Sequence, residues 1–325
     1  MIAPVDVPTE LLKAPFTTAT AREHGLSLTV LLGARFTRLW RDVYLHRALP
    51  LTPTVLAAGA ALVLPTTAVA SHLTAAELLG AQVPWSPPPH FWLPQTFTGR
   101  DITGIHLHRY DIEPASVEVD GLRVTNGANT FIDLATVLDL VQPVAVGDSL
   151  VRAGRTDPEQ LMHAAREKGR RNIRKARGAA SYVRLRVDST PESRTRMLLC
   201  LAGLPEPCVN LDIVSDRGLW LARPDLSYPS LRIAIEYDGR HHVEDHDRWD
   251  RDIRRVERMV REGWIVIVVT HRQLTDHPYE TIVRVLDALH RRGHDRAPRL
   301  PAPNWRPYFR TRADIRVAGR ARRRT

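Results

Sequence analysis

The stretch Leu231–Asp238, LRIAIEYD, constrains the fold most. Strand side chains alternate between two faces. Leu231, Ile233, Ile235 and Tyr237 therefore form one face of a predicted strand, and Arg232, Ala234, Glu236 and Asp238 the other. The first is a core face. The second ends in two carboxylates, followed by Gly239 and the pair His241-His242. A third carboxylate, Asp225, follows Pro224. If the strand carrying Asp225 pairs alongside, three carboxylates meet at one sheet edge. Such a cluster is costly unless it is solvated or neutralised by a cation, and hard oxygen ligands suit magnesium or manganese.

The flanking sequence predicts an α/β domain over 189–290. Ser189 and Glu192 have capping-box spacing, with Pro191 in the first turn, opening a helix that stops at Gly203. Val209–Val214 and Leu219–Arg223 read as strands around a Ser215–Gly218 turn. Trp249, Ile253, Val256 and Val260 recur at helical spacing, leaving Arg251, Asp252 and Arg255 on the exposed side. Trp264–Val269 reads as a buried strand internal to the sheet, and Tyr279–Leu289 as a closing helix.

These pieces resemble the PD-(D/E)XK nuclease superfamily, in its branch similar to very-short-patch-repair endonucleases. The resemblance rests on SxxE (Ser189–Glu192), AGLPEP (Ala202–Pro207), Pro224-Asp225, EYDGRHH (Glu236–His242) and GWIVIVVT (Gly263–Thr270). It implies a restriction-endonuclease-like domain, a central mixed sheet flanked by helices, that hydrolyses DNA phosphodiester bonds with Mg2+ or Mn2+. Asp225 and Glu236 match the two acidic ligand positions, and the Tyr237 carbonyl adds a ligand. The lysine of the superfamily pattern is absent, and Asp238 stands in its place. Asp238 is read either as a third metal ligand or as a cap of the turn at Gly239. His242, with His241 second, is the candidate to orient the attacking water or protonate the leaving oxygen, and a helix-start histidine without chemistry is the plainer reading. Glu192 is read as capping-box partner or as a side chain facing the metal. The catalytic candidates are thus Asp225, Glu236, Asp238, His242 and Glu192.

The front of the chain divides differently. Residues 1–50 look like a winged helix. One helix ends near Gly25, and a second is capped by Ser27 with an apolar side of Leu28, Leu31 and Leu32. Arg35, Arg38 and Arg41 lead into strand-like Val43–Leu45, and DNA contact there stands against solubility alone. Residues 51–150 resemble the AbiEi-like antitoxin architecture, an α+β region. That resemblance rests on SHLTAAELLG (Ser71–Gly80), IHLHRYDI (Ile105–Ile112) and GLRVTNGANTFIDLA (Gly121–Ala135), with Asn129 where the family carries an arginine. Val55–Ala70 reads as a buried helix passing into a strand rather than a membrane span. Residues 151–188 form a basic linker or helix, with Arg170, Arg171, Arg174 and Lys175 placed to meet phosphates or simply to be solvated. Residues 291–325 are a basic tail.

The net charge of +10 and pI near 10.2 favour a polyanionic partner. Of 46 basic side chains only Lys13, Lys168 and Lys175 are lysines, and the arginine fork suits phosphate. Two cysteines, Cys200 and Cys208, form no CxxC pair, which fits a reducing cytoplasm. The expected partner is DNA, without a membrane. A chain with one such centre needs a homodimer or successive nicks to break both strands. The alternative is an antitoxin-type DNA-binding regulator whose nuclease fold is catalytically silent.

Overall fold

The computed structural model of the chain describes residues 6–83, 88–167, 172–239 and 246–311, with side chains from 253 onward in the last of these. It is a mixed α/β protein that divides into two compact units, Met1–Val137 with Ala153–Ala176 and Leu138–Arg152 with Arg177–Thr325. Residues 138–150, expected to close the α+β region, and the next two residues group with the C-terminal unit.

The first unit opens with β1 (Phe16–Thr17), α1 (Thr18–Glu23), α2 (Leu28–Leu31), β2 (Phe36–Trp40) and β3 (Val43–His46). The strands form an antiparallel sheet in the order β1-β3-β2. Ser27 caps α2 by accepting the Val30 N–H, and Gly25 before it has φ 76°, as the expected helix break requires. The expected apolar side of α2 shrinks to Leu31. The helix is one turn long, and Leu28 and Leu32 are 56% and 69% exposed. Leu31 packs with Leu11, Phe16, Ala21, Leu26, Phe36 and Tyr44.

Next come α3 (Pro53–Ala61), β4 (Val69–Ala70), α4 (His72–Leu78), β5 (His90–Pro94), β6 (His106–Tyr110), β7 (Ser116–Val119), β8 (Leu122–Thr125) and α5 (Gly127–Val137). Val55–Ala70 is thus a helix and a strand, and among the described residues no helix is long and apolar enough to cross a membrane. The mixed sheet runs β6-β5-β4-β8-β7. Within it β5 is parallel to β6 and β4 to β8, while β4–β5 and β7–β8 are antiparallel. Gly127 opens α5 against the Arg155 carbonyl, where a Cβ would collide. After α6 (Val141–Arg152) of the second unit, α7 (Pro158–Ala164), capped by Asp157, packs on α5. In α8 (Ile173–Ala180) Ala176, Ala179 and Ala180 are buried, and Arg174, Lys175 and Arg177 face solvent. Arg170, Arg171 and the Arg316–Thr325 stretch lie outside the described residues.

The second unit adds to α6 the elements α9 (Thr190–Leu201), β9 (Cys208–Val209), β10 (Ile213–Val214), β11 (Trp220–Ala222), β12 (Leu226–Tyr228), β13 (Ile233–Asp238), α10 (His246–Arg261), β14 (Ile265–Thr270), α11 (His271–Thr275) and α12 (Pro278–Arg291). Its mixed sheet runs β14-β13-β12-β9, with β13 and β14 parallel and the other pairs antiparallel. On β13, Ile233, Ala234 and Ile235 are all buried, so both faces of this strand are covered. Ala234 packs with Met259 of α10 and with Trp264, and α9 also packs on the strand.

Four local expectations change. The central strand starts at Ile233, because Pro229–Leu231 form a 3-10 turn and Arg232 has φ 49°. The Arg232 guanidinium holds that turn, donating to Asp216 at 2.9 Å and to the Glu262 carbonyl at 2.8 Å. The predicted strand Val209–Val214 breaks at Asn210, φ 43°, so that β9 joins the main sheet and β10 pairs with β11 in a separate hairpin. Among the described residues β14 ends the strand order instead of lying inside it, and Val268 is 36% exposed between buried Ile267 and Val269. Among the described side chains of α10, Met259 is fully buried, while Ile253 and Val260 are exposed.

Candidate functional site

The Leu226–Ile235 pairing sets Asp225 against Glu236 across β12 and β13. Asp225 Oδ2 accepts the Tyr237 N–H at 2.7 Å, which ties the residue after Pro224 to the neighbouring strand. Glu192, 6% exposed near the start of α9, comes within electrostatic reach of Asp225. Burial, and then the charges of Glu192 and Glu236, push the Asp225 carboxyl up to about 7; the Tyr237 N–H and Arg255 oppose the rise. Half-buried Asp238 lies two residues beyond Glu236 on the same strand, opposite Thr270.

The plainer reading of Glu192 is realised as well. Ser189 Oγ accepts the Glu192 N–H, and its hydroxyl donates to Glu192 Oε1 at 2.7 Å. The other carboxylate oxygen accepts from the Asp188 N–H at 3.0 Å and from Asn210 Nδ2 at 2.8 Å. Glu192 therefore caps the helix one residue upstream of the expected donor while its charge faces Asp225.

Two residues at this site escaped the sequence reading. Arg255 was expected on the exposed side of its helix. It turns inward and donates from Nη2 to Glu236 Oε2 at 2.7 Å. The signal was present, since Arg255 is one helical turn from Met259, but a charged side chain at that spacing reads as solvated surface. Asn210, 3% exposed, donates to Glu192 and to the Arg186 carbonyl, and its own N–H reaches the Asp225 carbonyl. Its left-handed backbone suits asparagine, yet nothing local distinguishes it from a loop residue.

Asp225, Glu236 and Glu192 are thus gathered around one end of the sheet, with Asp238 beyond. Among the described residues, however, only a set of three histidines brings three ligand atoms within 4.8 Å of one another. The carboxylates share their space with Arg255 and do not close to that distance as a trio. His241 and His242 lie outside the described residues. In the N-terminal unit Arg35 sits over the Phe36 ring at 5.8 Å, Arg38 donates to the Trp40 carbonyl, and Arg41 stands at the β2–β3 turn with its side chain 91% exposed.

No family model matches the chain. Over 194 residues it is 27% identical to the uncharacterized protein MT2308 of Mycobacterium tuberculosis (strain CDC 1551 / Oshkosh). The same values hold for the uncharacterized protein Rv2248 of strain ATCC 25618 / H37Rv. Each match covers 59% of this chain and 70% of the relative.

Proposed function

We propose that the chain is a divalent-metal-dependent DNA endonuclease that hydrolyses phosphodiester bonds at the Asp225–Glu236 site. The observation that carries this reading is Asp225. It is largely buried and opposed by two further carboxylates, a charge excess that a cation would relieve. Two carboxylates suit magnesium, which binds few protein ligands and keeps several waters. Asp225 and Glu236 would hold the ion, with Asp238 and the Tyr237 carbonyl as further oxygen donors. Bound there, the ion supplies an acidified water and stabilises charge on the phosphoryl oxygens. Arg255, exchanged from Glu236 to a phosphate oxygen, would place its fork on the scissile group. His242 would move the proton at the leaving oxygen, and the arginines of the first unit and of α8 would hold the duplex. Hydrolysis of both strands would call on a second copy of the chain or on successive nicks.

A second reading, a DNA-binding regulator with a silent nuclease fold, draws on the same site. Arg255 already neutralises Glu236, and Asp238 stands where the superfamily has its lysine. Supercoiled plasmid incubated with purified protein in Mg2+, Mn2+ or EDTA separates the two. The endonuclease predicts metal-dependent nicking that the Asp225→Ala/Glu236→Ala variant abolishes while remaining folded. A folded wild type that binds duplex without cutting it in either metal returns the regulator.

A further inference from the structure

Three histidines in the first unit, 18 residues apart in each step along the chain, converge where β4, β5 and β6 lie side by side. His72 follows the end of β4, His90 opens β5 and His108 is central in β6. The Ser71 N–H donates to the His90 carbonyl, and the parallel β5–β6 register sets His90 beside His106 and Trp92 beside His108. His72 and His108 stack with ring centroids 3.7 Å apart, and His90 Nδ1 lies 2.9 Å from His108 Nε2. One ring nitrogen from each of the three lies within 4.8 Å of the others.

His72 is the informative member. Its side chain is fully buried, and Nε2 has no hydrogen-bond partner. A buried polar atom without a partner costs on the order of 1–3 kcal/mol. Nδ1 is engaged on the other edge of the ring, 3.0 Å from Ser71 Oγ and 4.0 Å from the Asp133 carboxylate. With Nδ1 as donor to these oxygens, the lone pair sits on Nε2. A metal-binding imidazole is held in the same way, its second nitrogen fixed by a hydroxyl or carboxylate. His72 also has φ 53°, in the left-handed region that few residues other than glycine adopt and in which histidine is one of the enriched types.

We propose that His72, His90 and His108 form a binding site for a zinc-class divalent ion. Imidazole nitrogen selects zinc and its transition-metal neighbours over magnesium, so this site differs in kind from the carboxylates of the second unit. Three imidazoles leave a tetrahedral ion one open position for water or an anion, and His90 and His108 are only half-buried. Zinc–nitrogen bonds of about 2.0–2.1 Å ask the three nitrogens to stand about 3.3 Å apart, an adjustment from separations of 4.8 Å at most that side-chain rotation can supply. Burial and the neighbouring imidazoles push the three pKa values down, to about 2 for His72, 3 for His90 and 4 for His108, so the lone pairs persist at neutral pH.

The test uses the full chain stripped of metal and titrated with Co2+ as an optical probe, followed by Zn2+. With excess Mg2+ present to hold the carboxylate site of the second unit, one Co2+ per chain is expected, with visible absorption of nitrogen ligation that Zn2+ bleaches. His90→Gln and His108→Gln should each weaken uptake by about tenfold or more, whereas exposed His106→Gln should not. The Asp225→Ala/Glu236→Ala variant should bind Co2+ as the wild type does, which keeps this outcome independent of the nuclease reading. A wild type that takes up no Co2+ overturns the proposal, because the three imidazoles are then only a packed neutral cluster. Uptake that survives both the His90 and His108 substitutions overturns it equally, since the ion then sits elsewhere.

Discussion

Asp225 concentrates the electrostatic cost of the second unit in one side chain. Its neighbours come from three elements, Glu192 on α9, Glu236 on β13 and Arg255 on α10, and only the last is cationic. The folded carboxyl titrates at about 7 against the usual 3.8. Between those values the folded protein keeps a proton that the unfolded chain has released. The contribution of Asp225 to stability is therefore complete below pH 3.8 and is lost as pH rises through 7. Over the whole window the effect is on the order of 4 kcal/mol, from about 1.4 kcal/mol for each pH unit. Asp225→Asn keeps an acceptor for the Tyr237 N–H and removes the titration. Thermal melts in EDTA should show the variant gaining on the wild type from pH 5 to about pH 7 and levelling off above it. Parallel curves would mean that Asp225 is ionised in the folded protein throughout. The carboxylates themselves were legible in the sequence because alternation along a strand is a strict rule. Their counter-charge was not, because the inward turn of Arg255 depends on how α10 rotates over the sheet.

Among the elements, α6 and α9 show what hydrophobic pattern alone misses. Arg196 of α9 and Asp148 of α6 are 0% and 1% exposed and pair at 2.9 Å. Arg196 also reaches Glu206 at 2.9 Å, and Asp148 accepts from the Ser193 hydroxyl and the Arg184 N–H. Breaking a buried pair from one side typically costs about 3–5 kcal/mol, because the remaining charge is stranded. Asp148→Ala should lower the unfolding free energy by about that amount in a urea titration. Asp148→Ala/Arg196→Met should recover more than half of the loss, and a double variant whose loss equals the sum of the two single losses would show that the pair is not coupled. This clamp ties α6 to α9, so that residues 138–150 group with the second unit and not with the α+β region to which sequence order assigns them. A helix with buried Glu192, Ser193, Thr195 and Arg196 carries no clean apolar stripe. The Ser189 and Ser27 caps, the Gly25 break and the strands near 106–110 and 265–270 were legible because caps, turns and alternation are local. The break at Asn210, the turn at Arg232 and the edge position of β14 were not, since each is decided by a partner distant in sequence. The same holds for the histidines, which belong to three elements and meet only through strand pairing.

For the whole molecule the deciding quantity is charge. A net charge of +10 carried almost entirely by arginine favours a polyanion, and the proposed function makes that polyanion duplex DNA. Each phosphate neutralised by a basic side chain releases counterions and adds roughly 0.9 to the slope of log affinity against log salt. The described candidates for such contacts are Arg35, Arg38 and Arg41 around the β2–β3 hairpin, and Arg174 and Lys175 on the solvent side of α8. Arg41 is the clearest, for its side chain is 91% exposed and its salt-bridge partner, Asp42 at 3.7 Å, is itself 66% exposed, an arrangement a phosphate can compete with. None of the three hairpin arginines is a member of the apolar cluster that holds the N-terminal elements, but Arg35 covers the ring of its member Phe36, so a thermal melt accompanies the serine variant. Fluorescence anisotropy on a labelled duplex, between 50 and 200 mM salt, should give the wild type a steep loss of affinity. Arg35→Ser/Arg38→Ser/Arg41→Ser should weaken binding at low salt and flatten the slope by up to about 2.7, three contacts at roughly 0.9 each. A variant that binds more weakly with an unchanged slope would place these side chains at base edges or at a structural role. A variant indistinguishable from the wild type at every salt concentration would move the phosphate contacts away from the hairpin, and Arg174→Ser/Lys175→Ser on α8 is then the pair whose slope decides.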